Sequence, residues 1–218
     1  MIAIVGAGGT GSHVAHKLGM YLGALQRLRP YTKQEVHIYD SAHYREANLY
    51  RQVCLSTDMM ANKAIALASN ISSAFGVDMI GFDRDFRYKD FAIYDYIFIC
   101  VDSHKWRSNI RYPRTQNGYH VIDCGNDNTY GQVLSYRVLK NSIIGQTYKS
   151  MNYPAPEVEN VKSCTIEEAL EKQSLFINSI IADIALKHFH FMANGDEPRS
   201  TLVDLESLKM STFTTMKT

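Results

Sequence analysis

Residues 1–11 read MIAIVGAGGTG and combine a short apolar run with a cluster of glycines. The apolar run predicts a buried strand, and a helical pattern follows from about Gly11 to Leu28. A glycine-rich turn between a strand and a helix is typical of nucleotide sites, because phosphate can approach the free N–H groups of the helix. The pattern also fits a tight turn that binds no ligand. We expect a nucleotide to contact Gly6, Gly8, Gly9, Thr10 and Gly11.

Apolar patterns along the rest of the chain alternate between short strands and longer helices. The clearest strand is the run 96–101, YIFICV, and the longest helical pattern runs from about Ile166 to Met192. This alternation predicts an α/β, Rossmann-like fold with a mostly parallel sheet flanked by helices and a C-terminal extension. We expect one domain over residues 1–218, with a nucleotide-binding core at 1–140, a crossover loop at 141–165 and a C-terminal helix and tail at 166–218. The threonine-rich end from Ser211 is expected to be frayed.

Composition argues against several classes of protein. Lys and Arg total 23 and Asp and Glu total 22, so a net charge of +1 gives no basic surplus for binding nucleic acid or an anionic membrane. No apolar run approaches the roughly 18 residues of a membrane span, and the N-terminus has no signal-peptide pattern. The 4 cysteines form no C-x-x-C pair, which argues against a disulfide framework or a zinc knuckle. We expect a cytoplasmic protein that binds neither nucleic acid nor membrane.

Charged residues after the glycine cluster separate two kinds of nucleotide chemistry. Asp40 ends the second predicted strand, where an acidic side chain can accept the ribose hydroxyl protons. Arg51 and Lys63 follow, and Asp102 comes just after the buried run 96–101, where a carboxylate could hold Mg²⁺ between phosphates. Hydride transfer needs no cations here, whereas nucleotidyl transfer needs them to stabilise charge on the phosphates. Taken singly, each residue also fits an ordinary surface or capping role.

Several short motifs, in this order, resemble those of one family. The matching residues are the glycine cluster, Tyr39-Asp40, NLYRQ at 48–52, ANKA at 61–64, CVD at 100–102 with Arg107 and Asn109, DCG at 123–125 and GQV at 131–133. Together they resemble the ThiF/MoeB/ubiquitin-activating (HesA-type) adenylyltransferase family, from Met1 to about Ala185. Residues 169–178, ALEKQSLFIN, are similar to the corresponding stretch of short bacterial ThiF-like proteins from PRTRC-type mobile-element cassettes.

The resemblance implies an enzyme that binds Mg·ATP and activates the C-terminal carboxylate of a small ubiquitin-like (β-grasp) protein, which often ends in glycine. It implies that Asp40 holds the ribose, that Arg51 and Lys63 hold the phosphates, and that Asp102 binds Mg²⁺. The same nucleotide-binding set includes Asn48 and Gln52, with Arg107 as a secondary candidate for support of the site.

The sequence departs from the family pattern at several points. Ser103 stands where asparagine is usual, Ala42 replaces a second aspartate, and the zinc-binding C-x-x-C pairs of many members are missing. The first predicted strand begins at Met1. We therefore expect the arginine that an N-terminal helix lends to a partner subunit's ATP site to be absent or supplied from elsewhere.

Cys164 lies at the end of the predicted crossover loop, beside the N-terminus of the long helix, where the helix dipole lowers the pKa of a thiol. Its position matches the cysteine that forms a thioester or persulfide in several family members, which implies transfer to a conjugating-enzyme-like protein. The alternative is a small residue packed under the loop. Cys100 lies inside an apolar strand and is expected in the core. The crowded apolar positions of the long helix fit either a homodimer interface or a fully buried core helix.

Three other functions remain open. A Rossmann oxidoreductase that uses NAD explains the glycines and Asp40 but gives no role to the group of Arg51, Lys63 and Asp102. A non-catalytic scaffold subunit of an activating complex would keep the fold, but we expect such a subunit to lose these charged residues. An enzyme that modifies a peptide or a small thiolated carrier would share the adenylation chemistry and differ only in its acceptor.

Overall fold

The computed structural model describes residues 1–29, 33–153 and 176–214. Its strands are β1 (Ile2–Val5), β2 (Val36–Tyr39), β3 (Met79–Phe82), β4 (Tyr96–Ile99), β5 (Tyr119–Asn126), β6 (Tyr130–Val138), β7 (Ile143–Gly145), β8 (Arg199–Asp204) and β9 (Lys209–Thr214). They form one mixed sheet in the order β3-β2-β1-β4-β5-β6-β8-β9, and β7 pairs with β6.

The first five strands of the sheet run parallel, with β1 at their centre. Every residue of β1 and β2 is buried, as expected for strands that are covered on both faces. From β6 onward the pairings are antiparallel. Val5 at the end of β1 lies level with Tyr39 of β2 and Ile99 of β4. The segments that follow these three strands therefore leave the sheet along one edge.

Four α-helices are described: α1 (Gly9–Leu28), α2 (Lys63–Phe75), α3 (His104–Asn109) and α4 (Ile177–Ala193). Residues of α1, α2 and α4 share one apolar core with one face of the sheet. The other face packs against the 3-10 helix Tyr88–Ile93 and the region around α3, in a second core rich in aromatic rings. The sheet therefore has one thickly covered face and one that is covered mainly by short elements.

Local sequence explains where α2 begins and ends. The Asn62 side chain caps its first turn by accepting a hydrogen bond from the Ile65 N–H at 3.0 Å. The helix ends at Gly76, whose φ of 68° is the left-handed conformation that glycine adopts most readily. Close packing of α1 on α2 depends on Gly19, because a Cβ there would lie 2.4 Å from Ile71.

The predicted α/β, Rossmann-like fold is confirmed. The expectation of a frayed C-terminal end is wrong as far as Thr214, because β9 pairs with β8 along its whole length. The described part of the long predicted helix is α4, and residues 166–175 lie outside the described residues. Across the described ranges, no helix has the length and apolar character to cross a bilayer.

The apolar residues of α4 pack against other parts of the same chain. Ile177, Ile181 and Phe189 are buried in the core that α4 shares with α1 and the sheet. Ile180 and Ile184 are partly buried against the same core. These contacts favour the core-helix interpretation of this segment, and the homodimer stays a prediction.

Candidate functional site

The glycine-rich turn lies where β1 passes into α1, at the carboxyl edge of the parallel strands. Gly6 has a φ of 93°, and a Cβ there would lie 2.8 Å from the carbonyl oxygen of Cys100. A Cβ on Gly11 would lie 1.9 Å from the carbonyl oxygen of Gly6. Both positions therefore require glycine for the turn to close against β4.

The start of α1 is open to an anion. Gly8 is the N-cap residue, has no side chain to cap the helix, and a Cβ there would meet nothing within 4 Å. The first turn of α1 carries no acidic side chain. Because the N–H groups of a first turn carry partial positive charge, this end of α1 can hold phosphate.

Gly9 and Thr10 face the protein rather than the open space beside Gly8. The Thr10 hydroxyl lies 2.8 Å from Asn126 Oδ1 and 3.1 Å from Asn178 Oδ1. A Cβ on Gly9 would lie 2.6 Å from Asn178 Oδ1, so Asn178 of α4 occupies that space. The Thr10 side chain is thus used inside the fold, which leaves only its backbone for a ligand.

Asp40 braces the glycine turn directly after β2. Its Oδ2 accepts a hydrogen bond from the Ala7 N–H at 2.7 Å, and its Oδ1 accepts one from the Ala42 N–H at 2.8 Å. The side chain is half-buried. Since a carboxylate can accept about four hydrogen bonds, Asp40 keeps acceptor capacity for two ribose hydroxyls.

The loop that carries Arg51 is shaped by Asn48. Asn48 Oδ1 accepts a hydrogen bond from the Arg45 N–H at 2.9 Å. The backbone carbonyl of Asn48 accepts hydrogen bonds from the N–H groups of Arg51 and Gln52. Gln52 is buried, and its Oε1 has no hydrogen-bond partner among the described residues. Asn48 thus acts mainly on loop conformation, while the Gln52 amide has an acceptor to offer.

Two residues of α1 hold this loop in place, and the sequence did not predict either. The Ser12 hydroxyl accepts a hydrogen bond from the Val53 N–H at 3.0 Å and donates one to the Gly9 carbonyl at 2.9 Å. His13 hydrogen-bonds the backbone of Arg51, and burial lowers the pKa of this histidine. The only sequence signal for them is their place directly after the last glycine of the turn.

Lys63 is the first residue of α2 and is almost fully buried. Burial lowers the pKa of its ammonium group, and Asp40 and Asp102 oppose this shift. In the ranges that the structure covers, no carboxylate lies within salt-bridge distance of Lys63 Nζ. The Asn62 side-chain amide donates a hydrogen bond of 2.8 Å to the backbone carbonyl of Asp40, which links the start of α2 to the end of β2.

Asp102 is the acidic centre of this group of charges. Asp102 is exposed at the surface, and the protein packed around it raises the pKa of its carboxyl by desolvation, a shift that Arg51, Arg107 and Lys63 oppose. Burial likewise lowers the pKa of Arg51, and Asp102 opposes that change. The structure therefore brings together Asp40, Arg51, Lys63 and Asp102, which are separated by up to 62 residues in sequence (102 minus 40).

The described residues could supply only some of the ligands of a divalent cation. Within the described residues, no group of three His, Cys, Asp or Glu side chains is placed to hold a metal. Mg²⁺ usually keeps several waters and binds through one or two carboxylates together with substrate phosphates. Asp102, near a helix end that is open to an anion, fits that kind of site.

The family model of the ThiF family matches residues 1–218. The chain belongs to the ThiF family. No curated protein matches the sequence. Among solved structures, PaaA superposes with a TM-score of 0.67 at 17% identity, covering 100% of this chain and 64% of PaaA. E. coli MccB with MccA-N7isoASN gives a TM-score of 0.69 at 15% identity, covering 100% of this chain and 65% of MccB.

A further MccB structure holds AMPCPP and MccA. It superposes with a TM-score of 0.65 at 16% identity and covers 98% of this chain and 63% of MccB. This ThiF-family chain thus spans about two thirds of the length of these structures, and at such identities the similarity shows the fold.

A buried ion pair joins α3 to β5 in this ThiF-family protein. Arg107 Nη2 lies 2.5 Å from Asp123 Oδ1, and the two side chains are 6% and 0% exposed. Burial raises the pKa of Asp123, and Arg107 opposes that shift. The guanidinium also lies 4.1 Å from the ring centre of Tyr148. A Cβ on Gly125 would lie 2.3 Å from Arg107 Nη1, so this glycine makes room for the arginine.

The cysteines divide by location. Cys100 is buried as expected, and the neighbouring Cys124 and burial raise its thiol pKa well above the ordinary value, which disfavours it as a nucleophile. Cys54, Cys100 and Cys124 carry free thiols. Cys164 lies outside the described residues, so its role stays a prediction.

Proposed function

We propose that this protein uses Mg·ATP to adenylate the C-terminal carboxylate of a small ubiquitin-like protein. The observation that carries the proposal is the electrostatic grouping of Arg51 and Lys63 around Asp102, beside a glycine turn that is open at Gly8. Membership of the ThiF family and the bound AMPCPP, an ATP analogue, in one structural neighbour support a nucleoside triphosphate as co-substrate.

Each residue of the site would have a distinct task. The first turn of α1 and the backbone near Gly8 would receive phosphate oxygens, and Asp40 would accept hydrogen bonds from the ribose. Arg51 and Lys63 would stabilise the negative charge that develops on the phosphates as pyrophosphate leaves. When bound, Mg²⁺ would neutralise phosphate charge, with Asp102 as its protein ligand.

The adenylation step needs positioning more than proton transfer. The substrate carboxylate is already ionised at neutral pH, so its oxygen attacks the α-phosphorus directly. The new bond is O–P, the broken bond joins the α-phosphorus to the bridging oxygen, and pyrophosphate takes the electron pair. No side-chain base is required, and the site contributes mainly orientation and electrostatic stabilisation.

The acceptor and the steps after adenylation are the finer parts of the proposal. In our proposal the Cys164 thiolate attacks the acyl carbonyl, forms a thioester and releases AMP, and a conjugating-enzyme-like protein then receives the acyl group. The protein would work as a homodimer in the cytoplasm. The neighbours that contain MccA favour a second candidate, adenylation of a peptide by the same chemistry.

Pyrophosphate exchange into ATP tests the reaction. We expect exchange only when a ubiquitin-like protein with an intact C-terminal glycine is added, and none when that glycine is deleted. Exchange with peptides alone would assign a peptide acceptor, and exchange with neither would contradict adenylation. NADH binding more tightly than Mg·ATP in calorimetry would favour the oxidoreductase, and ATP binding without exchange would favour the scaffold.

Two variants test the assigned roles. Asp102→Asn should lower exchange by about 10²–10³-fold, whereas the exposed Asp78→Asn at the opposite edge of the sheet should not change it. Full exchange in Asp102→Asn would remove Asp102 from the metal role. Cys164→Ala should keep exchange but abolish any adduct that thiols release, and a wild-type protein that never forms this adduct would make Cys164 structural.

A further inference from the structure

A second concave surface lies on the face of the sheet opposite α1, α2 and α4. It is a groove of about 370 Å³ between the 3-10 helix Tyr88–Ile93 and α3. Its floor is formed by Phe86 and Phe91, two buried rings in edge-to-face contact at 4.9 Å, and Trp106 of α3 lines one side. None of the nucleotide-site residues lines this groove.

The rim of this groove is positively charged. Arg87 and Arg111 line it and are exposed, and Lys105 is exposed next to Trp106 in the chain. These three side chains make no ion pair with any described residue. They are therefore available to a partner at little desolvation cost.

No acidic side chain among the described residues lines the groove itself. Asp90 is already paired with Arg84 through two hydrogen bonds of 2.7 and 3.1 Å, and it also accepts the Arg87 N–H at 2.8 Å. Asp85 is an exposed carboxylate that accepts a hydrogen bond from the Ser41 hydroxyl at 2.6 Å, and it does not line the groove. The groove thus joins an aromatic floor to exposed arginines, in a chain whose overall charge is only +1.

We infer that this groove binds an acidic peptide segment of a partner protein. A leucine or phenylalanine side chain of the segment covers the aromatic floor, and carboxylates on either side pair with Arg87 and Arg111. Arginine suits this role, because its planar guanidinium binds carboxylates through two hydrogen bonds. The small size of the groove and the low net charge disfavour nucleic acid, which needs a broad basic surface. The inference stands on the groove itself and does not require the adenylation activity.

The single tryptophan of the chain lines this groove, so its fluorescence reports on binding there. The probe is a capped eight-residue peptide of glutamates with two central leucines, without aromatic residues. We expect a saturable change in Trp106 emission that weakens as salt rises. Replacing the leucines with serine should weaken binding about tenfold.

Paired variants locate the binding site. Arg87→Ala/Arg111→Ala should weaken the peptide about tenfold, while Arg27→Ala, which removes an exposed arginine from the end of α1, should not. The double variant Arg87→Glu/Arg111→Glu should instead bind a peptide in which lysines replace the glutamates. The circular dichroism of this variant must match that of the wild type, which shows that it is folded. Absence of saturable binding, equal affinity in the alanine double variant, or tighter binding of a single-stranded oligonucleotide would overturn the inference.

Discussion

Removal of the Arg107 guanidinium should destabilise the protein in a pH-dependent way. In Arg107→Leu the fully buried Asp123 loses its ion-pair partner at 2.5 Å, while its other oxygen already has no hydrogen-bond partner among described residues. Breaking a buried ion pair by removing one partner costs about 3–5 kcal/mol at neutral pH. At roughly 2–4 °C per kcal/mol for a chain of this size, the melting temperature should fall by about 6–20 °C.

The pH dependence follows from the raised pKa of Asp123. Burial raises this pKa and Arg107 opposes the shift, so the variant should raise it further. A carboxyl whose pKa is raised in the folded state stabilises the fold while protonated and loses that contribution as pH rises through the folded pKa. The loss in Arg107→Leu should therefore be smallest in acid and should grow toward neutral pH.

Urea unfolding at several pH values measures both effects. Arg27→Leu, at an exposed position, is the matched control and should stay within about 0.5 kcal/mol of the wild type. A loss below about 1 kcal/mol in Arg107→Leu, or a loss that shrinks as pH rises, would refute the view that the pair is a coupled buried charge system.

Gly11→Ala should prevent stable folding, because its Cβ would lie 1.9 Å from a backbone oxygen. Gly8→Ala should keep a melting temperature close to that of the wild type, and thermal unfolding scans distinguish the two variants. Ser12→Ala should lower kcat/KM for ATP in pyrophosphate exchange about fivefold by freeing the loop that carries Arg51, and Ser12→Thr should restore it. Burial lowers the pKa of His188 to about 4 from 6.5, so unfolding free energy should fall as pH drops through that window. His188→Gln should flatten this slope in urea titrations.

Local sequence patterns made most of the geometry of the candidate site predictable. A strand, a glycine turn and a helix determine each other's positions, so the glycine turn could be placed from residues 1–11 alone. Asp40 and Asp102 could be placed because each follows a strand, and parallel strands bring their carboxyl ends to one edge. The place of Lys63 in the site could be predicted from the family motif and from its position near the start of a helix.

The rest depends on contacts between distant parts of the chain. Asn178 comes more than 160 residues after Gly9 (178 minus 9), and no periodic pattern relates the two. The pairing of Arg107 with Asp123 requires knowing that β5 lies beside the segment after β4. β9 was missed because an exposed edge strand rich in serine and threonine has no apolar alternation to reveal it.

The place of Asn178 makes two remote parts of the chain mechanically dependent on each other. Its side chain fills the space beside Gly9 and accepts a hydrogen bond from the Thr10 hydroxyl, so the first turn of α1 is in direct contact with the first turn of α4. If α1 shifts when a nucleotide binds, the beginning of α4 has to shift with it, because Asn178 contacts both Gly9 and Thr10. Under the proposed function, a substitution at Asn178 should therefore change the affinity for ATP as well as the packing of α4.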